Sequence, residues 1–292
     1  MALSFFASDL HGRPDRYTTL WRLAAEEAPA AVFLGGDLLP HAMHRSWPGA
    51  DQGGDFVTDF MVPGFEGLRE QLGSRYPRVF LIMGNDDPRA FEPEFLAGQQ
   101  DGLWEYCHGR QVAWAGYTVL GYSCIPPSPF LLKDWERYDV SRFVDPGSIP
   151  PEDGRRTAGP AGREILHTTI AAELDELAAG ITDFGRVILL AHCPPHGCVL
   201  DRAALDGKTV DHVPLDVHIG SIAVRRFIEA RQPLLALHGH VHESRRLTGR
   251  WQYSLGSTVC WNAANDTAEL ALVRFDPADP GGAELKLAGP AG

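Results

Sequence analysis

Short apolar runs recur along the chain, and each is followed at once by polar or glycine-rich turn residues. Runs of this length, bounded by turn residues, are typical of buried β-strands. The pattern therefore predicts a strand at each run. The runs with their turns are LSFFA before SDLHG, AVFLG before GDLLP, RVFLIM before GNDDP, TVLGY before SCIPP, RVILLA before HCPPHG, PLLAL before HGHVH, and WQYSL before GST.

Amphipathic stretches lie between several of these runs and predict helices. Pro14 suits a first helical turn, while Asp87 and Ser221 suit the capping positions of the helices that follow them. The alternation of strands and helices favours a layered α/β architecture. The last strands, between Trp251 and Phe275, follow one another without a helix, so part of the sheet should be antiparallel. The predicted helices are Pro14–Ala28, Phe56–Leu72, Pro88–Leu96, Glu164–Ala179 and Ile222–Ala230.

Two long segments match no regular element. Residues 41–54 are polar and contain glycine, and residues 123–162 are rich in proline, glycine and charge. Loops of this length inside a compact domain are usually functional. We therefore predict one domain over residues 1–292, with lid-like insertions at about 41–54 and 123–162.

Composition and charge restrict the classes of function. The 292 residues suffice for one sizeable domain, and an apolar fraction of 44% is ordinary for a globular protein. With 26 basic and 38 acidic residues, the formal net charge is −12, which disfavours a stable grip on nucleic acid. A small phosphorylated substrate is compatible with this charge, because bound cations reverse its sign inside one pocket.

Cysteine use and hydropathy predict a cytoplasmic location. The five cysteines include no Cys-x-x-Cys pair, which favours reduced thiols over a disulfide framework. The first apolar run, Leu3–Ala7, is too short for a signal peptide. No stretch approaches the roughly 20 apolar residues of a membrane span, so we predict no membrane partner. Nothing in the sequence indicates an oligomeric state.

Side chains that bind metal ions well follow five of the apolar runs. Because the carboxyl ends of strands form the ligand crevice of an open α/β sheet, five segments deliver oxygen and imidazole ligands to one edge. A histidine taken singly is more often structural or solvated, but buried charges in a group must be paired or bound to metal. Such ligands suit Mn, Fe, Zn or similar divalent ions. The seven residues are Asp9, His11, Asp37, Asn85, His192, His240 and His242.

In chain order these residues form five short motifs. They are DLH at Asp9–His11, GD at Gly36–Asp37, GNDD at Gly84–Asp87, a lone His192, and GHVH at Gly239–His242. The sequence thereby resembles the calcineurin-like metallophosphoesterase superfamily, whose signature is Asp-x-His, Gly-Asp, Gly-Asn-His-Asp/Glu, a lone His, and Gly-His-x-His. Gly-Asp alone is common, whereas five motifs in order, each after a predicted strand, are specific.

The resemblance implies a fold, a cofactor and a role for each matched residue. It implies two facing mixed sheets flanked by helices, and two divalent ions roughly 3.5–4 Å apart, with Mn favoured over Fe, Zn and Ni. Hydroxide generated there would attack phosphorus in line. One ion would be held by Asp9, His11 and His242, the other by Asn85, His192 and His240, with Asp37 between them. Catalytic roles would fall to Asp37, Asn85, Asp86 and His240, and Asn85 would also contact the substrate.

One motif departs from the family. The superfamily places His after Gly-Asn, where it serves the leaving group, and here Asp86 stands in that position. Three interpretations are open. Asp86 acts as the acid with a raised pKa, or it points away and caps a turn, or the leaving group needs no strong acid.

The segment Cys124–Asp139 resembles a lid over the site in bacterial members of the superfamily. Lys133 and Arg137 are candidates to bind a substrate phosphate, and Trp135 or Phe130 to stack on a flat group. The alternative is that these aromatic residues only pack the segment down.

We predict that the protein is an enzyme, a phosphoesterase acting on a small-molecule phosphodiester. One alternative is a phosphomonoesterase with the same site. A nuclease is disfavoured by the charge of −12 and the lack of a basic stripe. A catalytically silent, metal-dependent binding protein is disfavoured because all seven ligands are retained.

Overall fold

Most apolar runs of the sequence form strands in two mixed sheets. The computed structural model describes residues 2–41, 54–159 and 165–289. The strands are β1 (Ser4–Ala7), β2 (Ala31–Gly35), β3 (Arg78–Ile82), β4 (Glu105–Tyr106), β5 (Arg110–Trp114), β6 (Tyr117–Tyr122), β7 (Val187–Ala191), β8 (Thr209–Val210), β9 (Val213–Pro214), β10 (Leu235–His238), β11 (Gln252–Leu255), β12 (Thr258–Asn262), β13 (Leu270–Asp276) and β14 (Asp279–Ala288).

The two larger sheets each contain six strands within the described residues. The first has the order β14-β13-β1-β2-β3-β4, and the second has the order β11-β12-β10-β7-β6-β5. The central strands are parallel, whereas β13 and β14 in one sheet, and β5 and β11 in the other, pair antiparallel with their neighbours. The predicted α/β class and the antiparallel part of the sheet are confirmed.

Side chains of the buried strands alternate between two cores. Phe6 and Phe33 of the first sheet share one buried cluster with Ile188 of the second, so this cluster joins the two sheets. Phe5 faces the opposite way, into a second cluster that includes Tyr17. This burial on both faces explains why the strands appear in the sequence as nearly continuous apolar runs.

Helices cover the outer faces of the sheets, largely where the sequence predicts them. Ser221 accepts a hydrogen bond from the amide of Val224, as expected of an N-cap. No helix among the described residues is long and apolar enough to cross a membrane. The helices are α1 (Pro14–Glu27), α2 (Val62–Leu72), α3 (Glu92–Gln100), α4 (Ile170–Leu177), α5 (Ile222–Arg231) and α6 (Ser244–Thr248), with a π-helical turn at Val57–Met61 before α2.

Two helix predictions require correction. The helix predicted from Pro88 begins as a 3-10 turn and continues as α3, and Asp87 does not cap it. The Asp87 carboxylate accepts hydrogen bonds from loop amides instead. The prediction Glu164–Ala179 starts outside the described residues, and the helix within it, α4, begins at Ile170, because Thr169 is its N-cap and accepts from the amide of Ala172.

The predicted lid at 123–162 is packed against the domain over its described part. Lys133 and Trp135 are fully buried. The Lys133 ammonium donates to Glu136 Oε2 at 2.5 Å, and the indole of Trp135 donates to the carbonyl of Asp87 at 2.8 Å. Segment 41–54, the other predicted lid, lies almost wholly outside the described residues.

His108 beside this segment gives a pH-dependent stability prediction. Its ring meets that of Trp135 edge-on at 4.8 Å, and its Nδ1 lies 3.1 Å from the amide nitrogen of Ser123, which donates to it. Desolvation, aided by Arg89 and Arg137, lowers the pKa of His108 to about 3. The unfolded chain, with a pKa near 6.5, therefore binds the proton first as the pH falls.

We expect this group to destabilise the protein progressively between pH 6.5 and about 3, by at most about 1.4 kcal/mol per pH unit. Urea unfolding of chelator-treated protein at pH 7, 5.5 and 4.5 measures the slope. His108→Gln should make the slope shallower than in the wild type. An identical slope in both proteins would contradict the assignment.

Candidate metal centre

Five strand ends bring the predicted ligands to one edge of the molecule. Strands β1, β2 and β3 of the first sheet lead directly into the loops that carry four of them, and β7 and β10 of the second sheet lead into the other three. Because these strands are parallel within each sheet, their carboxyl ends lie together. The loop residues that follow are Asp9, His11, Asp37, Asn85, His192, His240 and His242.

Four of these residues have a left-handed backbone, which is uncommon for residues other than glycine. Their φ angles are 57° at Asp9, 50° at His11, 52° at Asp37 and 70° at His240. Backbone hydrogen bonds hold the first two loops together, from the Asp9 amide to the Gly36 carbonyl and from the His11 amide to the Asp37 carbonyl. Unusual conformations fixed in this way concentrate at functional sites.

The first group of ligands is formed by Asp9, His11, Asp37 and His242. One donor atom from each lies within 4.8 Å of all the others. His242 Nε2 is 2.9 Å from Asp9 Oδ1 and 3.0 Å from His11 Nε2. Donor atoms from both sheets therefore converge on a single point.

A second group lies on the other side of Asp37. His192 Nε2 is 3.3 Å from Asp37 Oδ2 and 3.1 Å from Asn85 Oδ1. The ring of His240 lies beside that of His192, with centroids 5.4 Å apart. Asp37 belongs to both groups, which is the placement required of a carboxylate between two ions.

Charge at the site fits bound cations. Asp9 and Asp37 are buried, and among the described residues no Lys or Arg forms an ion pair with either carboxylate. Burial alone would raise the pKa of Asp9, but its hydrogen bond with His242 and the nearby imidazoles lower it overall. Burial likewise would lower the pKa of His192, yet Asp37 raises it to about 10. The site thus favours positive charge next to its carboxylates.

The second ring nitrogen of His192 supports the same conclusion. Its Nδ1 lies 2.7 Å from the carbonyl oxygen of Gly35, and in the neutral ring that binds metal a donation there leaves Nε2 without a hydrogen. That bare Nε2 would face only the oxygens of Asp37 and Asn85. Electron-rich atoms at this spacing need a proton or a metal ion between them, and a backbone carbonyl on the other ring nitrogen is one of the usual supports of a metal-binding histidine.

Comparison with known proteins decides the family. The model of the calcineurin-like phosphoesterase family matches residues 5–244. The chain belongs to the calcineurin-like phosphoesterase family. This metallophosphoesterase is therefore a phosphoric ester hydrolase from a family that depends on a dinuclear metal centre, and the four clustered residues of the first group form a candidate metal-binding site.

Two solved structures share the fold of this phosphoesterase at low sequence identity. One aligns with a TM-score of 0.60 at 16% identity over 99% of both chains. The protein TT1561 of Thermus thermophilus aligns with a TM-score of 0.56 at 14% identity, also over 99% of both. A dimetal phosphatase from Danio rerio aligns with a TM-score of 0.48 at 13% identity, over 99% of this chain and 96% of its own. No curated protein matches the sequence.

Glycines of the phosphoesterase motifs allow the ligands to approach closely, a role that the sequence analysis does not identify. A Cβ on Gly84 would lie 2.2 Å from Asp37 Oδ1, and one on Gly239 would lie 2.2 Å from Asp9 Oδ2. One on Gly36 would lie 2.7 Å from His192 Nδ1. In the sequence, this role is indicated by a glycine that directly precedes a candidate ligand, as in Gly36-Asp37, Gly84-Asn85 and Gly239-His240.

Asp87 supports the site in a way that its predicted role as a helix cap does not indicate. Its buried carboxylate accepts from the amides of Leu38 at 3.0 Å, Leu39 at 2.7 Å and Gly84 at 2.8 Å. It therefore ties the loop of Asp37 to the loop of Asn85. In the sequence, only its place at the end of the GNDD motif points to this role, and a helix-capping position explains an acidic residue there equally well.

Asp86 lies at the edge of the metal centre. Its Oδ1 accepts from the side-chain amide of Asn85 at 3.0 Å, and its Oδ2 is 3.9 Å from His11 Nδ1. Burial, followed by repulsion from Asp37, raises the pKa of Asp86 to about 6. Its backbone amide donates to Asp37 Oδ1 at 2.8 Å, so the position also supports the shared carboxylate through its main chain.

We expect Asp86→Ala to lower kcat by less than about tenfold with a p-nitrophenyl ester. The backbone contact to Asp37 survives the substitution, and p-nitrophenolate leaves without a strong acid. Steady-state kinetics of the two proteins measure the effect. A loss of about a thousandfold would identify Asp86 as an essential general acid.

The structure places Lys133 and Arg137, the predicted substrate-binding residues, in ion pairs with carboxylates of the chain itself. Lys133 is fully buried against Glu136, and Arg137 pairs with Glu173 at 3.2 Å. Trp135 is fully buried too, so it does not offer a face for stacking. These residues hold the segment in place. A buried ammonium must be paired with an opposite charge, and for Lys133 that partner is the adjacent carboxylate of Glu136. Phe130, in contrast, is 59% exposed.

A cavity of about 300 Å³ adjoins the metal centre at His240. Its walls come from residues 125–130 and from residues within 145–148, 203–205 and 215–220, together with Glu243. Phe130, one of the two aromatic residues predicted to stack on a flat group, lines this cavity, whereas Lys133, Trp135 and Arg137 do not.

Proposed function

We propose that this phosphoesterase hydrolyses a phosphodiester of a small molecule. The observation that carries the proposal is the cavity beside His240, which has room for a second ester group next to the metal centre. A diester also carries a single phosphoryl charge. A diester therefore needs no cationic side chain beyond the metal ions. A monoester carries two charges, and neither Lys133 nor Arg137, which pair with Glu136 and Glu173, is free to neutralise the second.

Residues of the chain have separate roles in this proposal. Asp37 is shared by both ligand groups and sets their spacing, while Asp9, His11 and His242 complete one group. Asn85, His192 and His240 complete the other. When bound, two divalent ions supply Lewis-acid stabilisation of phosphoryl charge and an activated water at neutral pH. We propose Mn first, because carboxylate, amide and imidazole ligands suit it, and Fe, Zn or Ni next.

We further propose that the chain forms one domain in the cytoplasm. The buried cluster that contains Phe5 also contains Leu272, so the two ends of the described chain share a core. All five cysteines are free and buried, as expected in a reducing compartment. The net charge of −12 supports a small phosphorylated substrate over stable binding of nucleic acid.

A paired assay tests the proposed reaction. Bis-p-nitrophenyl phosphate and p-nitrophenyl phosphate are compared with Mn²⁺, and again after chelation. We expect Mn²⁺-dependent hydrolysis with a higher kcat/KM for the diester. Preference for the monoester would assign a phosphomonoesterase with the same site, and hydrolysis of neither would favour a silent binding protein.

A further inference from the structure

The cavity beside His240 carries information about the organic part of the substrate. His240 belongs to the second ligand group and also lines the cavity. A phosphoryl group at the metal centre would therefore place one of its ester substituents in this space. Since pockets for small ligands usually exceed about 300 Å³, a volume of about 300 Å³ limits that substituent to a compact group.

The walls of the cavity are mainly apolar. Phe130, Leu205, Leu215 and Ile219 line it together with prolines of the 125–130 segment. Phe130 leaves 59% of its surface exposed, which is unusual for a large apolar side chain beside a functional site. An apolar body of the ligand would cover this ring and remove it from water.

The charged groups at the cavity all have one sign. Asp145, Asp216 and Glu243 line it, and no Lys or Arg is found among its described lining residues. Two of these carboxylates already have partners. Asp216 Oδ2 is 3.3 Å from His196 Nε2, and Glu243 accepts a hydrogen bond from the amide of Ala204. A second phosphate or a carboxylate entering the cavity would still meet repulsion without a cationic partner.

His218 adds a fixed polar group to the same cavity. Its Nδ1 lies 2.8 Å from Oδ1 of the buried Asp201. Asp201 is itself held by the amides of Gly197, Cys198 and Gly220. The contact with Asp201 fixes the orientation of the ring. Together with the carboxylates of Asp145 and Asp216, this ring gives the cavity polar groups for a ligand.

We propose that this cavity binds the alcohol portion of the substrate, and that it selects a compact, largely apolar group that is neutral or positively charged. Hydroxyl or ammonium donors of that group would face His218 and the carboxylates of Asp145 and Asp216. Substrates with a second anionic group are excluded. The proposal rests on the proposed phosphodiesterase function, because the phosphoryl group must lie at the metal centre.

Non-hydrolysable probes test the selection without any turnover. Four phosphonates are used as monomethyl esters, so that each carries one phosphoryl charge: methyl-, benzyl-, 4-(aminomethyl)benzyl- and 4-carboxybenzylphosphonate. Calorimetric titration of the Mn²⁺-loaded protein gives each Kd. We expect the benzyl and aminomethylbenzyl probes to bind at least about tenfold more tightly than the methyl and carboxybenzyl probes.

Two variants with matched controls locate the effect. Phe130→Ala should weaken the benzyl probe by about tenfold and leave the methyl probe unchanged, whereas Phe143→Ala, which is exposed and does not line the cavity, should change neither. Asp145→Asn combined with Asp216→Asn should reduce the difference between the aminomethyl and carboxylate probes. Asp153→Asn on the same segment should preserve it.

The outcomes separate the two proposals. Equal affinities for all four probes, tighter binding of the carboxylate, or no binding of any probe would overturn the cavity assignment. If the expected order holds while bis-p-nitrophenyl phosphate is not hydrolysed, the phosphodiesterase proposal fails and the cavity stands as a binding site. If the diester is hydrolysed and the order is absent, only the cavity assignment fails.

Discussion

Asp37→Asn is expected to lower kcat/KM for diester hydrolysis by about a thousandfold or more, and to lower the metal content of the purified protein. Asp37 is the one carboxylate shared by both ligand groups, and it is buried. Removing its charge weakens both groups at once, and metal ions contribute several kcal/mol of transition-state stabilisation. The amide of Asn keeps an oxygen for the Asp86 backbone, so the loop should persist.

The Asp37→Asn experiment needs kinetics, metal analysis and a fold control. Circular dichroism should be unchanged, and Asp101→Asn, an exposed residue after α3, should retain full activity and metal. A variant that keeps wild-type metal content and loses less than about tenfold in kcat/KM would show that Asp37 is not the shared ligand.

Gly84→Ala is expected to lower kcat/KM by about a hundredfold through a single added methyl group. The new Cβ would lie 2.2 Å from Asp37 Oδ1 and 2.5 Å from the Asp37 backbone nitrogen, so the loop of Asp37 must shift. Backbone atoms cannot rotate away as a flexible side chain can. A misplacement of about 1 Å is enough for a loss of this size.

Gly67→Ala is the matched control for this substitution. Gly67 lies in α2, and a Cβ there would meet no atom within 4 Å. The control should be fully active and about 0.5–1 kcal/mol more stable, because Ala favours helix over Gly. Metal titration followed by kinetics compares the two variants. Wild-type activity in Gly84→Ala would mean that the loop accommodates the methyl group and that close packing does not set the site.

Strand positions, and the candidate ligands that follow the strands, are predictable from the sequence because both depend on the order of neighbouring residues. The run Val187–Ala191 is buried on both faces and ends directly at His192, so the sequence alone predicts a strand that leads into a candidate ligand. The same holds for Ala31–Gly35 before Asp37. The family match confirms the class of chemistry that this order indicates.

The supporting contacts are not predictable in the same way because they join distant parts of the chain. Asp87 binds the amides of Leu38 and Leu39, which lie 49 and 48 residues away in sequence, and nothing in its neighbourhood distinguishes this from a helix cap. Lys133 seemed available to a phosphate, yet Glu136, three residues on, neutralises it inside the protein. The sequence shows the sign of a side chain's charge, but it does not show whether that side chain is buried.

Metal content of the wild-type protein, measured together with activity, tests the central claim most directly. The protein is purified without chelator, analysed by inductively coupled plasma mass spectrometry, and assayed with bis-p-nitrophenyl phosphate before chelation, after chelation and after Mn²⁺ is restored. A dinuclear phosphoesterase should bind about two transition-metal ions per chain, lose diester hydrolysis on chelation and regain it with Mn²⁺. A chain that retains and takes up no metal, and that hydrolyses neither diester nor monoester, would contradict the account.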